Sequence, residues 1–109
     1  VLVVLGLSAV AFFYLNSKPD TVYVSTLQET KVVYLPDSSR IWLGPASNIS
    51  FTENLEGDSR NIMLDGEGFF QVKRDESKPF IVQGAKTTVE VLGTSFTVHS
   101  RKGEDKEYV

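Results

Sequence analysis

The sequence predicts an all-β domain of short antiparallel strands preceded by a single transmembrane helix, and three observations carry that reading. Beyond Asp20 the apolar residues recur at every second position rather than every third and fourth, and many are β-branched or aromatic. Turn-forming residues, among them Pro36-Asp37, Gly44-Pro45, Gly57-Asp58, Asp65-Gly66, Gly84 and Gly93, interrupt the alternation at short intervals. Val1 to Leu15, in contrast, form an apolar run without charge, and the first charged side chain is Lys18.

A charge at the bilayer centre costs roughly 2.5–3.5 kcal/mol on insertion scales, so hydrocarbon selects such a run. At about 1.5 Å per residue, 1–15 span roughly 23 Å of a core about 30 Å thick. Position 1 is Val rather than Met, so residues 1–17 are read as part of a helix begun upstream, with 1–15 in the membrane and Tyr14 near the headgroups. Residues 18–21 are the linker. A signal peptide cleaved after Ala9-Val10-Ala11 is the rival reading, and it leaves the apolar Phe12-Phe13-Tyr14-Leu15 as a new N-terminus.

Residues 22–109 form the β domain, with its C-terminal part expected to lie beyond Val109. The alternation places strands at 22–26 and 31–35, then a turn over Pro36-Asp37-Ser38-Ser39 and a strand at 40–43. After Gly44-Pro45 a strand follows at 48–51. Strands at 60–64 and 69–72 flank Asp65-Gly66-Glu67-Gly68, which reads as a turn. Short strands at 80–82 and 88–92 precede a turn at Gly93-Thr94, where the glycine is expected at positive φ. A strand at 95–100, a charged tip at 101–107 and the start of another strand at 107–109 complete the chain. Three strand-turn-strand stretches, starting at Val32, Ile62 and Val89, fit either a sandwich or a solenoid-like stack of β-hairpins. The expected core is Ile41, Trp42, Leu43, Ile62, Leu64, Phe70, Phe80, Val91 and Phe96. At Ile41-Trp42-Leu43 and Phe69-Phe70 adjacent large apolar residues point to protein on both faces, a second layer or a partner. Trp42 is read as core, with an exposed binding platform as the alternative.

The formal net charge of -3 and a pI near 5.1 leave no basic patch for nucleic acid. Without cysteine the chain has no disulfide, thiolate nucleophile or Cys-bound zinc, and the lone His99 cannot build a multi-histidine metal site. Asp65 and Glu67 are the most enzyme-like pair, since residues two apart on a strand face the same way. Their Asp-Gly-Glu-Gly setting favours turn carboxylates over an acid and base. Glu56-Gly57-Asp58-Ser59 and Asp65-Gly66-Glu67 only loosely resemble calcium loops. No catalytic motif is present, and no cofactor or metal is expected.

Four blocks, residues 35–43, 60–72, 78–82 and 89–98, stand in an order that resembles the FecR family of membrane-bound sigma-factor regulators. Leu35-Pro36-Asp37-Ser38-Ser39-Arg40-Ile41-Trp42-Leu43 resembles the family's L-P-D-G-S-x-V-W-L hairpin. Arg60 to Val72 resembles R-x-V-x-L-x-G-E-A-Y-F-x-V; Lys78-Pro79-Phe80-Ile81-Val82 resembles the R/K-P-F-x-V strand; Val89 to Val98 resembles V-x-V-L-G-T-x-F-x-V. Together they cover about residues 30–98. Ser38 stands where the family has a turn glycine, so this turn either avoids positive φ there or carries strain. Gly44-Pro45 replaces the family's common Asn-containing bend.

The resemblance implies a non-enzymatic signal relay. A periplasmic β domain on a single-pass inner-membrane protein contacts the signalling domain of a TonB-dependent outer-membrane receptor, which handles an iron chelate or a glycan. The helix passes the state to an ECF-type sigma factor through a cytoplasmic region outside this sequence. The turn residues Asp37, Gly66, Glu67, Gly93 and Thr94 are expected to be structural. The expected docking mode is addition of a partner strand to a sheet edge around Ser95, Phe96, Thr97, Val98, His99 and Ser100. A carbohydrate-binding module is the alternative, and it requires Trp42 or Phe69 and Phe70 exposed as a sugar-stacking platform.

Overall fold

The computed structural model describes residues 20–55, 57–104 and 106–109. The segment expected to enter the membrane lies outside them. Among the described residues no helix is long and apolar enough to cross a membrane.

Eight strands make up the described fold: β1 (Thr21–Ser25), β2 (Lys31–Tyr34), β3 (Arg40–Leu43), β4 (Asn48–Thr52), β5 (Arg60–Gln71), β6 (Phe80–Gln83), β7 (Thr88–Val91) and β8 (Ser95–Ser100). β5 organises the rest. Its first half pairs with β4 and β6, extending to β1 and β7, whereas its second half pairs with β3 and β8, extending to β2. The fold is therefore one sheet curled over its own core, with β5 common to both halves.

The curl follows from the β5 sequence. Residues 60, 62, 64, 66, 68 and 70 all face inward, so the buried side stays on one face through all twelve residues. Gly66 sits at the change of half-sheet with φ 134°, and a Cβ there would lie 2.7 Å from Ser47 Cα. Only glycine lets the strand bend over the 44–47 loop this closely. The core draws Ile41, Leu43, Phe70 and Val98 from one half and Ile49, Ile62, Phe80 and Val82 from the other. Phe70 meets Phe80 edge-on at 6.2 Å and stacks on Phe96 at 5.2 Å.

Several expectations change. Asp65, Gly66 and Glu67 are not a turn: 60–71 is one continuous strand, because the glycines permit a bend without breaking the ladder. β7 and β8 do not pair with each other; β7 joins β6 and β8 joins β5. Of the three supposed hairpins only β2–β3 forms, which removes the solenoid-like stack. One pairing, β5 with β6, is parallel. Trp42 is not core. It alternates outward between the fully buried Ile41 and Leu43, so the apolar run marks a strand with an apolar outer surface. Val91 and Phe96 are only partly buried against the core.

Asp37 lies in the link between β2 and β3, and Gly93 and Thr94 in the link between β7 and β8. Asp37 Oδ1 accepts the Ser39 amide at 2.9 Å and Oδ2 accepts the Ser39 hydroxyl at 2.8 Å. Ser38 takes φ 75°, so the turn keeps the glycine geometry without the glycine. Gly93 and Thr94 do link β7 to β8, and the Thr94 carbonyl accepts the Val72 amide at 2.9 Å. Gly93 takes the expected positive φ, 158°. Glycine is needed there for space as well, since a Cβ would lie 2.6 Å from Arg74 N.

Arg60 closes the curl. Its side chain is 2% exposed, yet every branch of the guanidinium is engaged. Nε donates to Lys78 O at 2.8 Å, Nη1 to Asp37 Oδ2 at 2.7 Å and Lys73 O at 2.8 Å, and Nη2 to Leu92 O at 3.2 Å. The group also lies 5.3 Å from the Phe80 ring centroid. One side chain thus ties the first residue of β5 to the β2–β3 turn, the return segment 72–79 and the β7–β8 bend.

Candidate protein-interaction face

The half-sheet β2-β3-β5-β8 buries one side and turns the other outward. Registers Val32↔Trp42, Trp42↔Phe69 and Phe69↔Thr97 align a row across all four strands. Val32 and Phe69 are each 42% exposed. The Trp42 and Phe69 rings lie 5.5 Å apart with their planes tilted by 49°, so they form a ridge rather than a flat stacking surface. Phe70 points inward and is fully buried. A platform made of Phe69 and Phe70 is therefore ruled out by the pleat.

At one end of this row lies β8. Its inward members, Phe96, Val98 and Ser100, are committed to the interior, with Ser100 bonded to the Ala85 amide at 2.8 Å and to Glu107. Ser95, Thr97 and His99 alternate outward. The outer edge of β8 is engaged at His99, whose amide donates to Tyr108 O at 2.8 Å and whose carbonyl accepts Tyr108 N at 3.0 Å. The same parity aims the backbone groups of Thr97 and Ser95 along that edge. The strand expected over 107–109 is present only as this bridge.

Around His99 the side chains form a small cluster. Its ring stacks on Tyr108 at 4.7 Å, and Nε2 lies 2.8 Å from Glu104 Oε2. Nδ1 is 3.8 Å from Glu67 Oε2 and has no hydrogen-bond partner among the described residues. The Ser100 hydroxyl, with Thr87 and the Lys86 amide, holds the Glu107 carboxyl below its ordinary pKa against the opposing effect of burial. This anchors the terminal segment beside the edge.

Asp65 and Glu67 do not converge. Asp65 Oδ1 accepts the Lys102 amide at 2.9 Å, whereas Glu67 approaches His99. Glu56 of the first loose calcium loop lies outside the described residues. Among the described residues no group of three acidic or histidine side chains is placed to hold a metal.

A family model, that of the FecR protein, matches residues 21–107. The chain belongs to the FecR family. Two crystal structures resemble this FecR domain closely, both of a protein from Parabacteroides distasonis described as an anti-sigma factor. One gives a TM-score of 0.76 at 34% identity over 79% of this chain and 41% of that one. The other gives 0.75 at 35% identity over 77% of this chain and 40% of that one. The FecR chain here thus spans about two fifths of the length of those structures. No curated protein matches it.

Arg60 is the residue that sequence reasoning passed over. It opens the block resembling R-x-V-x-L, where its place at a strand start gives no hint of burial. Its parity with Ile62 and Leu64 was the available signal: an arginine in phase with inward apolar residues must bury its charge and find partners.

Proposed function

We propose that this is the periplasmic sensing domain of a non-enzymatic, inner-membrane sigma-factor regulator. Residues 1–17 would anchor it as a single-pass protein, and the domain would relay the state of a TonB-dependent outer-membrane transducer to an ECF-type sigma factor inside. The family match over residues 21–107 carries the reading. The anti-sigma description of the two similar structures supports it.

The outward row and the β8 edge supply the docking surface in this reading. An added strand would pair with Ser95 and Thr97, while its alternate side chains continue the row Val32–Trp42–Phe69–Thr97. The pleat leaves Ser95, Thr97 and His99 as side-chain contacts, while the backbone groups of Phe96, Val98 and Ser100 are spent on β5. The test is calorimetric titration of the chain with the signalling domain of the transducer encoded beside it. Saturable binding that is lost in a Thr97→Pro variant supports edge pairing. Binding by neither form of a folded chain rejects the relay.

A further inference from the structure

The outer side of the other half-sheet carries a cleft that the docking reading does not use. Registers Tyr23↔Ser50, Ser50↔Met63 and Met63↔Gln83 set one row across β1, β4, β5 and β6. Tyr23 is 77% and Met63 57% exposed. Between them stands only the small Ser50. Adjacent strands lie about 4.8 Å apart, so these two large side chains rise roughly 10 Å from each other with a slot between them. Asn48 and Asp65, themselves in register, belong to the neighbouring row. Gly84, Ala85 and Lys102 complete a cleft of about 310 Å³, at the small end of ligand sites.

The polar groups of the slot are uncommitted. The side chains of Tyr23, Asn48, Ser50 and Gln83 make no hydrogen bond among the described residues, and Asp65 has engaged only Oδ1, with the Lys102 amide. The lining offers amides that both donate and accept, two hydroxyls, a carboxylate oxygen and an aromatic ring. Asp65 and Lys102 balance each other in charge. The lining sets these polar groups beside a larger apolar surface, the same mixture that a pyranose presents with its C–H face and its hydroxyl edge.

We propose that this cleft binds one unit of a neutral saccharide. A pyranose places its C–H face on the Tyr23 ring, and its hydroxyls meet Asn48, Ser50, Gln83 and the second oxygen of Asp65. The site is separate from the Trp42–Phe69 ridge and from β8.

The test is a titration of isotope-labelled full chain, held in sugar-free amine-oxide micelles, with glucose, galactose, mannose and N-acetylglucosamine, read from amide and methyl shifts. For one of these sugars the shifts are expected to saturate and to centre on Ser50, Met63 and Gln83. Tyr23→Ala should weaken that sugar about three- to tenfold, the worth of one aromatic contact. Ser50→Phe, which fills the slot from an outward position, should abolish the shifts while leaving the melting temperature and the transducer-domain titration unchanged. Shifts that stay linear with all four sugars, or that centre on Trp42, overturn the proposal. So does an affinity indifferent to both substitutions.

Discussion

Replacing Arg60 by methionine isolates the contribution of the guanidinium, because methionine keeps an apolar stem against Phe80. The change removes the partner of Asp37 and empties four hydrogen bonds at once. Breaking a buried pair from one side costs about 3–5 kcal/mol. Asp37 retains 20% exposure and can recruit water, which favours the lower half of that range. Small domains have only about 5–15 kcal/mol in total, so the loss should move a urea midpoint by about 1–3 M. Burial alone would raise the Asp37 pKa, but Arg60 and the Ser39 amide and hydroxyl outweigh it and hold the carboxyl below its ordinary value. A lowered folded-state pKa means stability that is complete above the unfolded value and lost as pH falls through the folded one. Wild type should therefore weaken below about pH 4, whereas in Arg60→Met burial opposes the charge and the Asp37 share of that acid slope should vanish. Urea melts by circular dichroism across this range, with Asp37→Asn and the double variant, complete the cycle. A loss below about 1 kcal/mol, or an unchanged acid slope, would refute the reasoning.

Three further outcomes are expected. Ser38→Gly relieves a left-handed serine at φ 75° and should stabilise by about 0.5–1 kcal/mol, a gain seen as a raised melting temperature; a decrease would mean the side chain compensates. Gly93→Ala forces a Cβ into the Arg74 backbone and should cost about 2–3 kcal/mol in chemical denaturation, with no change if the β7–β8 bend can move aside. Trp42→Ala should cost only about 1 kcal/mol, against the 3–5 kcal/mol of a buried aromatic such as Phe70, while weakening transducer-domain binding at least about tenfold in calorimetry.

The alternation made most strands legible, and β8 was placed to the residue because Phe96, Val98 and Ser100 keep a clean inward phase. β5 was missed as a single strand because glycine and aspartate are turn residues by local statistics, and only the packing of Ser47 beneath Gly66 makes them a bend. Trp42 is hard to place from sequence because apolar residues at both parities of β3 do not say which parity faces the core; the curl of the sheet gives that face to Ile41 and Leu43. The pairing of β7 with β6 rather than β8 was beyond local reading, since strand partners follow from the long-range curl. Arg60 was legible by phase alone, though its four partners come from three distant loops.

A strand shared by both half-sheets also shapes how the chain folds and comes apart. The segment before the 53–59 loop holds β1 with β4 and β2 with β3 as two disconnected pairs, while the segment after it holds β5 with β6, β7 and β8. Neither piece closes a core without the other, so the two should assemble in one cooperative step, and slowly, because their contacts are distant in sequence. A cut between β4 and β5 would consequently leave two fragments that still recognise each other, β5 docking back along the edge formed by β3 and β4.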